Sequence, residues 1–91
     1  MLLANRQLDV TNTLGLHLRA ACAFVKLAQQ FRAEVRVVCD GRRASGKSIL
    51  DLATLAAACG CRLELETDGP DAESALDALS DLIARRFDEE A

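Results

Sequence analysis

The chain has 91 residues, 51% of them hydrophobic but only 3% aromatic, a net charge of −3 and four cysteines. That length supports one small core, so residues 1–91 are expected to form a single domain. Eleven Lys and Arg residues interleaved with fourteen acids argue against nucleic-acid binding, and no apolar run is long enough to be inserted in a membrane. Leu2, Leu3 and Ala4 are too short a stretch before Asn5 and Arg6 to form a secretory signal, so the expected location is cytoplasmic.

Leu8 and Val10 alternate with Gln7, Asp9 and Thr11, which predicts a first strand near residues 3 to 10, followed by a loop through Asn12, Thr13 and Gly15. From residue 18 the apolar positions Ala21, Phe24, Val25, Ala28 and Phe31 recur at helical spacing, with Lys26, Gln29 and Gln30 opposite. This helix should end near Phe31. Val35 and Val37 alternate with Glu34 and Arg36, and Asp40-Gly41 is a tight-turn signal, so a second strand should enter an antiparallel hairpin with residues 42 to 44.

A short helix then starts at Ser48 with Ile49, Leu50, Leu52 and Leu55, and Gly60 supplies a left-handed stop. Ser48 has Asp51 three residues on, which suits a helix cap. Cys61, Leu63 and Leu65 alternate with Arg62, Glu64 and Glu66 in a further strand, and Asp68-Gly69-Pro70-Asp71 ends it and opens a helix. In that helix Ala72, Ala75, Leu76, Leu79, Leu82, Ile83 and Phe87 form one stripe, with Asp77, Asp81 and Arg85 outside it. Each strand keeps a charged face for solvent, so helices should cover the other face alone. The expected fold is α+β, a two-layer open-faced sandwich with an antiparallel four-stranded sheet covered on one face by three helices, in the order strand-helix-strand-strand-helix-strand-helix.

The four cysteines, Cys22, Cys39, Cys59 and Cys61, read as reduced thiols in a cytosolic setting. Zinc held by Cys59, Cys61 and His17 is the sharper alternative, but the one-residue spacing is not that of the usual knuckle, so neither a metal nor a cofactor is expected.

The only histidine, His17, stands where the first loop meets the first helix, in the run Gly15-Leu16-His17-Leu18-Arg19-Ala20-Ala21. The first turn of a helix exposes unpaired backbone N–H groups and the positive end of the helix dipole, so a phosphoryl group carried there would meet ready-made donors. Neutral imidazole is a competent nucleophile near neutral pH, and its phosphorylated form stays reactive. Position alone equally fits a surface histidine or a helix cap.

The run is similar to the active-site signature Gly-Leu-His-x-Arg-Pro-Ala of HPr, the histidine-containing phosphocarrier family of the bacterial phosphoenolpyruvate-dependent sugar phosphotransferase system. The segment from Asp40 to Leu50 resembles that family's turn and its Lys-Ser-Ile/Leu helix start, and the likeness continues through Leu55, Gly60, Gly69 and the last helix. The resemblance implies a stoichiometric carrier rather than an enzyme, accepting a phosphoryl group from Enzyme I on Nδ1 of His17 and donating it to an Enzyme IIA-type protein. It implies that Arg19 stabilises the phosphohistidine, that the backbone of Leu18 and Arg19 cradles the phosphate, and that Ile49 and Leu50 belong to an apolar docking patch beside His17. Leu18, Ala21, Lys26 and Lys47 complete the expected docking surface, with Leu52 and Leu55 in the core. Ser48 resembles the serine that an HPr kinase phosphorylates in many relatives. A monomer is expected.

Two departures bear on the partner. Ala20 stands where the family has proline, which loosens the helix start and adds a backbone N–H, and Leu18 stands where the family has a smaller or polar residue, so it either enlarges the docking surface or fills a gap. Asp51 and Gln29 are less basic than in many relatives, leaving Arg19, Lys26 and Lys47 as the positive rim. The alternative function is an HPr-like regulatory module of the nitrogen or carbon type that docks on a transcriptional regulator or kinase.

Overall fold

A computed structural model describes residues 3–10, 17–58 and 62–88. The elements are β1 (Leu3–Asp9), α1 (Leu18–Ala28), β2 (Glu34–Cys39), β3 (Arg42–Ser45), α2 (Ile49–Ala58), β4 (Arg62–Asp68) and α3 (Ala72–Ala84), followed by a short left-handed turn at Arg86–Asp88. The strands form one antiparallel sheet in the order β1-β4-β2-β3. α3 lies over β1 and β4, α2 lies over β3, and α1 packs between the two helices. This is the expected open-faced sandwich.

Side-chain alternation explains the layering. Val35, Val37 and Cys39 on β2 and Leu63 and Leu65 on β4 are buried towards the helices, while Glu34, Arg36, Glu64 and Glu66 occupy the alternate positions that face solvent. On that open face Arg36 bridges the strands, its Nε 3.1 Å from Glu66 Oε1 and its Nη1 3.1 Å from Glu34 Oε2. The core between the layers centres on Phe24, Val37, Leu52, Leu65, Leu79 and Ile83, each essentially inaccessible. The Cys61 position, the Gly60 helix stop and the Asn12–Gly15 loop lie outside the described residues.

The hairpin turn is as expected. Asp40 and Gly41 take φ values of 52° and 79°, the left-handed pair that a two-residue antiparallel connection requires. Two other boundaries differ from the sequence expectation, each because of a contact with a distant segment.

α1 ends at Ala28 rather than near Phe31. Past that point the Asp71 carboxylate accepts the backbone N–H groups of Arg32 at 2.9 Å and Ala33 at 2.8 Å, and Lys47 Nζ donates to Phe31 O at 2.8 Å. These partners satisfy the chain's polar groups in a non-helical path. Gly69 permits the approach, because a Cβ there would stand 2.8 Å from Ala33 Cα. The hydrogen bond from the Arg32 amide, with that from Ala33 and the nearby Lys47 charge, holds the Asp71 carboxyl below its ordinary value of 3.8 against an opposing effect of partial desolvation. A carboxylate whose pKa is lowered by folding stabilises the fold above the unfolded value and loses that contribution as pH falls through the folded one. Asp71→Ala is therefore expected to lower Tm at neutral pH, with the deficit against the parent shrinking as melts are taken below the ordinary carboxylate value. A deficit independent of pH in that acid range would refute this role.

The apolar stripe of the last helix also does not run as one helix to Phe87. α3 stops at Ala84, and Arg86, Phe87 and Asp88 have φ values of 56°, 56° and 61°. Phe87 still reaches the core, now through this left-handed turn, while Arg85 is bonded to both Asp81 and Asp88. Burial of the Phe87 ring offsets part of the cost of left-handed backbone at these three residues.

Candidate functional site

His17 is the N-cap of α1. Its backbone is extended (φ −74°, ψ −179°), its carbonyl accepts the first helical hydrogen bond from Ala21 N at 2.8 Å, and its Nδ1 accepts the Arg19 N–H at 3.2 Å. The ring thus stands over the helix end and remains partly accessible. A ring nitrogen that accepts a hydrogen bond carries no proton, so the neutral imidazole holds its hydrogen on Nε2 and directs the Nδ1 lone pair at the amide.

The amides of Leu18, Arg19 and Ala20 occupy the first turn, where no intrahelical acceptor exists. No acidic side chain lies in that turn to offset the positive end of the dipole. An anion attached to Nδ1 would therefore meet backbone donors that carry no competing carboxylate. Ala20 adds an N–H that a proline would lack, while its methyl is buried in the core. Gly15 and Leu16, the start of the signature, lie outside the described residues.

The remaining site residues separate into exposed and buried groups. Leu18 is 63% exposed, which rules out gap filling, and Arg19 is exposed beside it. Cys22 and Lys26 follow at intervals of four, both exposed, so Leu18, Cys22 and Lys26 form one solvent-facing row along α1. Cys22 was not among the expected surface residues, although the same four-residue spacing places it there. Ala21, expected on the docking surface, is instead fully buried. It lies on the apolar stripe with Phe24, Val25 and Ala28, and the stripe turns that face inward.

On α2, Ile49 is 37% and Leu50 76% exposed, whereas Leu52 and Leu55 are buried. Together with Leu3 and Leu18, Ile49 and Leu50 are the large apolar side chains that the described residues leave exposed. Ser48 caps the helix as expected, its Oγ accepting Asp51 N–H at 3.2 Å. Lys47 is half-buried and engaged with Phe31 O. Because Phe31 lies beyond the C-terminal end of the 11-residue α1, that ammonium is about 16 Å or more along the helix from His17. Lys47 therefore belongs to the far corner of the molecule and not to a cationic rim around the imidazole, and the helix start at Ser48 follows from that corner. Cys59 and Cys61 lie outside the described residues. Among the described residues no cluster of three or more His, Cys, Asp or Glu side chains is placed to hold a metal, and no helix is long and apolar enough to cross a membrane.

Comparison with known proteins agrees with this geometry. Residues 4–85 match the family model described as "PTS HPr component phosphorylation site". The chain is 45% identical over 84 residues to phosphocarrier protein HPr of Cupriavidus necator, covering 92% of this chain and 94% of that one. It is 42% identical over 84 residues to phosphocarrier protein NPr of Shewanella violacea, covering 92% of each. Among solved structures, HPr of Thermoanaerobacter tengcongensis superposes with a TM-score of 0.90 at 34% identity, covering 97% of this chain and 99% of the other. With a histidine capping a helix on an open-faced sandwich, and with sequence and fold similar to these carriers over nine tenths or more of its length, the chain belongs to the HPr family of phosphocarrier proteins of the phosphotransferase system.

Proposed function

We propose that this chain carries a phosphoryl group on Nδ1 of His17, receiving it from an Enzyme I and passing it to an Enzyme IIA-type protein. The observation that carries this reading is the 3.2 Å contact between the Arg19 N–H and Nδ1. It leaves Nδ1 unprotonated and puts a donor where phosphate oxygens would stand. In the transfer, Nδ1 forms its bond to phosphorus as the donor's bond to phosphorus breaks, the bonding pair leaving with the donor atom. The Arg19 amide then exchanges its nitrogen acceptor for a phosphate oxygen, and the first-turn amides of Leu18 and Ala20 supply further donors. Nε2 keeps its proton throughout, so no separate general base is needed at this site.

Arg19 adds a mobile cation to fixed amides. A charged hydrogen bond contributes about 1.5–3 kcal/mol, which corresponds to about 10- to 150-fold in an equilibrium constant. Arg19→Ala is expected to shift the phosphoryl equilibrium away from this chain by an amount within that range, measured as the fraction phosphorylated against a fixed ratio of phosphoenolpyruvate to pyruvate with Enzyme I present. Equal phosphorylated fractions in parent and variant would remove Arg19 from the site. Phosphorus NMR of the labelled protein distinguishes Nδ1 from Nε2, and attachment at Nε2 would contradict the proposed geometry.

The docking surface for these partners is the exposed row of Leu18, Cys22 and Lys26 with Arg19, extended by Ile49 and Leu50 across the α1–α2 face. Apolar anchors rimmed by cations suit a partner whose own contact surface is apolar and acidic.

A further inference from the structure

A second concave surface lies away from His17, at the edge of the sheet. It is an open groove of about 440 Å³ lined by Glu34, Val35, Arg36, Arg43, Ala44, Ser45 and Lys47. Its polar lining is rich in donors. Arg36 uses Nε and Nη1 for Glu66 and Glu34, which leaves Nη2 uncommitted to these partners. Lys47 spends one of its three N–H donors on Phe31 O. Arg43 is exposed at the end of a side chain with five donors. The Ser45 hydroxyl accepts the Lys47 amide at 3.2 Å and keeps its own proton to donate. Three cations and a hydroxyl thus line a groove whose own carboxylate, Glu34, is already paired with Arg36, and Arg36 also holds Glu66 from the neighbouring strand.

The backbone adds to this. In a two-residue antiparallel hairpin the pair that closes the turn is hydrogen-bonded, and bonded and non-bonded pairs alternate from there. Cys39 and Arg42 close the turn, so Val37–Ala44 is a bonded pair, while Val38–Arg43 and Arg36–Ser45 are not. The Gly46 N–H to Val35 O bond of 2.7 Å continues the alternation. The N–H groups of Arg43 and Ser45 consequently point out of the sheet edge, away from β2. Arginine on an edge strand discourages pairing with another strand, but edge protection does not require a concavity in which Arg36, Arg43, Ser45 and Lys47 meet.

We propose that this groove binds a small phosphate-bearing anion, with the Arg43 guanidinium forming the fork on the phosphate and Lys47 and the Ser45 hydroxyl completing its contacts. The anion is a second ligand, independent of any phosphoryl group on His17, and nothing in its binding requires that histidine.

The test is a titration of the full chain, labelled with nitrogen-15, with inorganic phosphate and with pyrophosphate at constant ionic strength balanced by sodium chloride. Saturable shifts are expected at the amides of Arg43, Ser45 and Lys47 and at the Arg43 side chain, with pyrophosphate binding more tightly than phosphate. Arg43→Glu is expected to weaken pyrophosphate binding at least about tenfold, the lower end of what a charged hydrogen bond is worth, while leaving Tm and phosphorylation by Enzyme I unchanged. His17→Ala is expected to leave the groove's affinity unchanged. Shifts that never saturate, saturable shifts confined to Leu18 and Arg19, or equal affinity in Arg43→Glu would overturn the proposal. The outcome at His17 is read separately by phosphoenolpyruvate labelling, so failure of one reading does not affect the other.

Discussion

His17→Ala is expected to reduce phosphate transferred from phosphoenolpyruvate by Enzyme I to background, against an acid-labile, base-stable label of one phosphate per chain in the parent. The size of the effect follows from chemistry rather than from packing, since removal of the imidazole removes the atom that forms the bond to phosphorus. The variant also loses the N-cap acceptor for the Arg19 amide, at a stability cost of about 1 kcal/mol. His17→Asn separates these effects, because asparagine restores a side-chain oxygen at the cap but offers no ring nitrogen for transfer. Both variants should be unlabelled, and Asn should melt above Ala. Label persisting at another residue in either protein would refute the carrier mechanism. Retained affinity of His17→Ala for a partner would be compatible with docking through Leu18, Ile49 and Leu50, but a parent protein that binds partners and takes no label would establish the regulatory module instead.

The second large effect is structural. Gly46→Ala is expected to destabilise the fold by about 1–3 kcal/mol, the usual range for an added carbon in a packed interior. In a domain of this size that lowers Tm by about 4–8 °C for each kcal/mol. A Cβ at Gly46 would stand 2.3 Å from Val35 Cγ1, 2.8 Å from Val35 Cβ and 3.0 Å from Phe24 Cε1. Val35 is held by β2 pairing and Phe24 is buried on α1, so neither can retreat without moving the sheet or the helix that presents His17. Gly46 N also donates to Val35 O, which fixes the separation of the two backbones. The same substitution at Gly41 provides a contrast: nothing lies within 4 Å of its Cβ position, and the penalty there comes from the positive φ of 79°. A Tm for Gly46→Ala within about 2 °C of the parent would show that the Phe24–Val35 contact relaxes freely.

Local chemistry made much of this molecule legible in the sequence. The alternation of Val35 and Val37 with charged neighbours, the helical recurrence of Phe24, Val25 and Ala28, the Asp40-Gly41 turn and the Ser48 cap all depend on residues within a few positions of one another. The elements they predict are present, and the four-stranded sheet with helices on one face follows from them. His17 at the start of α1 was equally accessible, because the unpaired amides of a first turn are a property of any helix.

What the sequence did not determine was decided by contacts between distant segments. Asp71 ends α1 from a separation of 38 and 39 residues, Lys47 is drawn to Phe31 O and away from the imidazole, and Phe87 enters the core through a left-handed turn. Ala21 is sealed on the stripe that periodicity marked, so its expected docking role fails, whereas Leu18 is 63% exposed and its place at the surface was settled only by packing. Periodicity specifies that a helix has an apolar stripe, but the width of that stripe and the residues at its margin depend on how α2 and α3 pack beside it. The groove at the edge of β3 was invisible for the same reason. By itself the sequence determined the elements, their order and the place of His17 at the start of α1, since these depend on short-range backbone preferences and side-chain chemistry. The tertiary structure alone decided which cations stand together and which apolar groups remain for a partner, since both depend on the relative placement of elements that only packing sets.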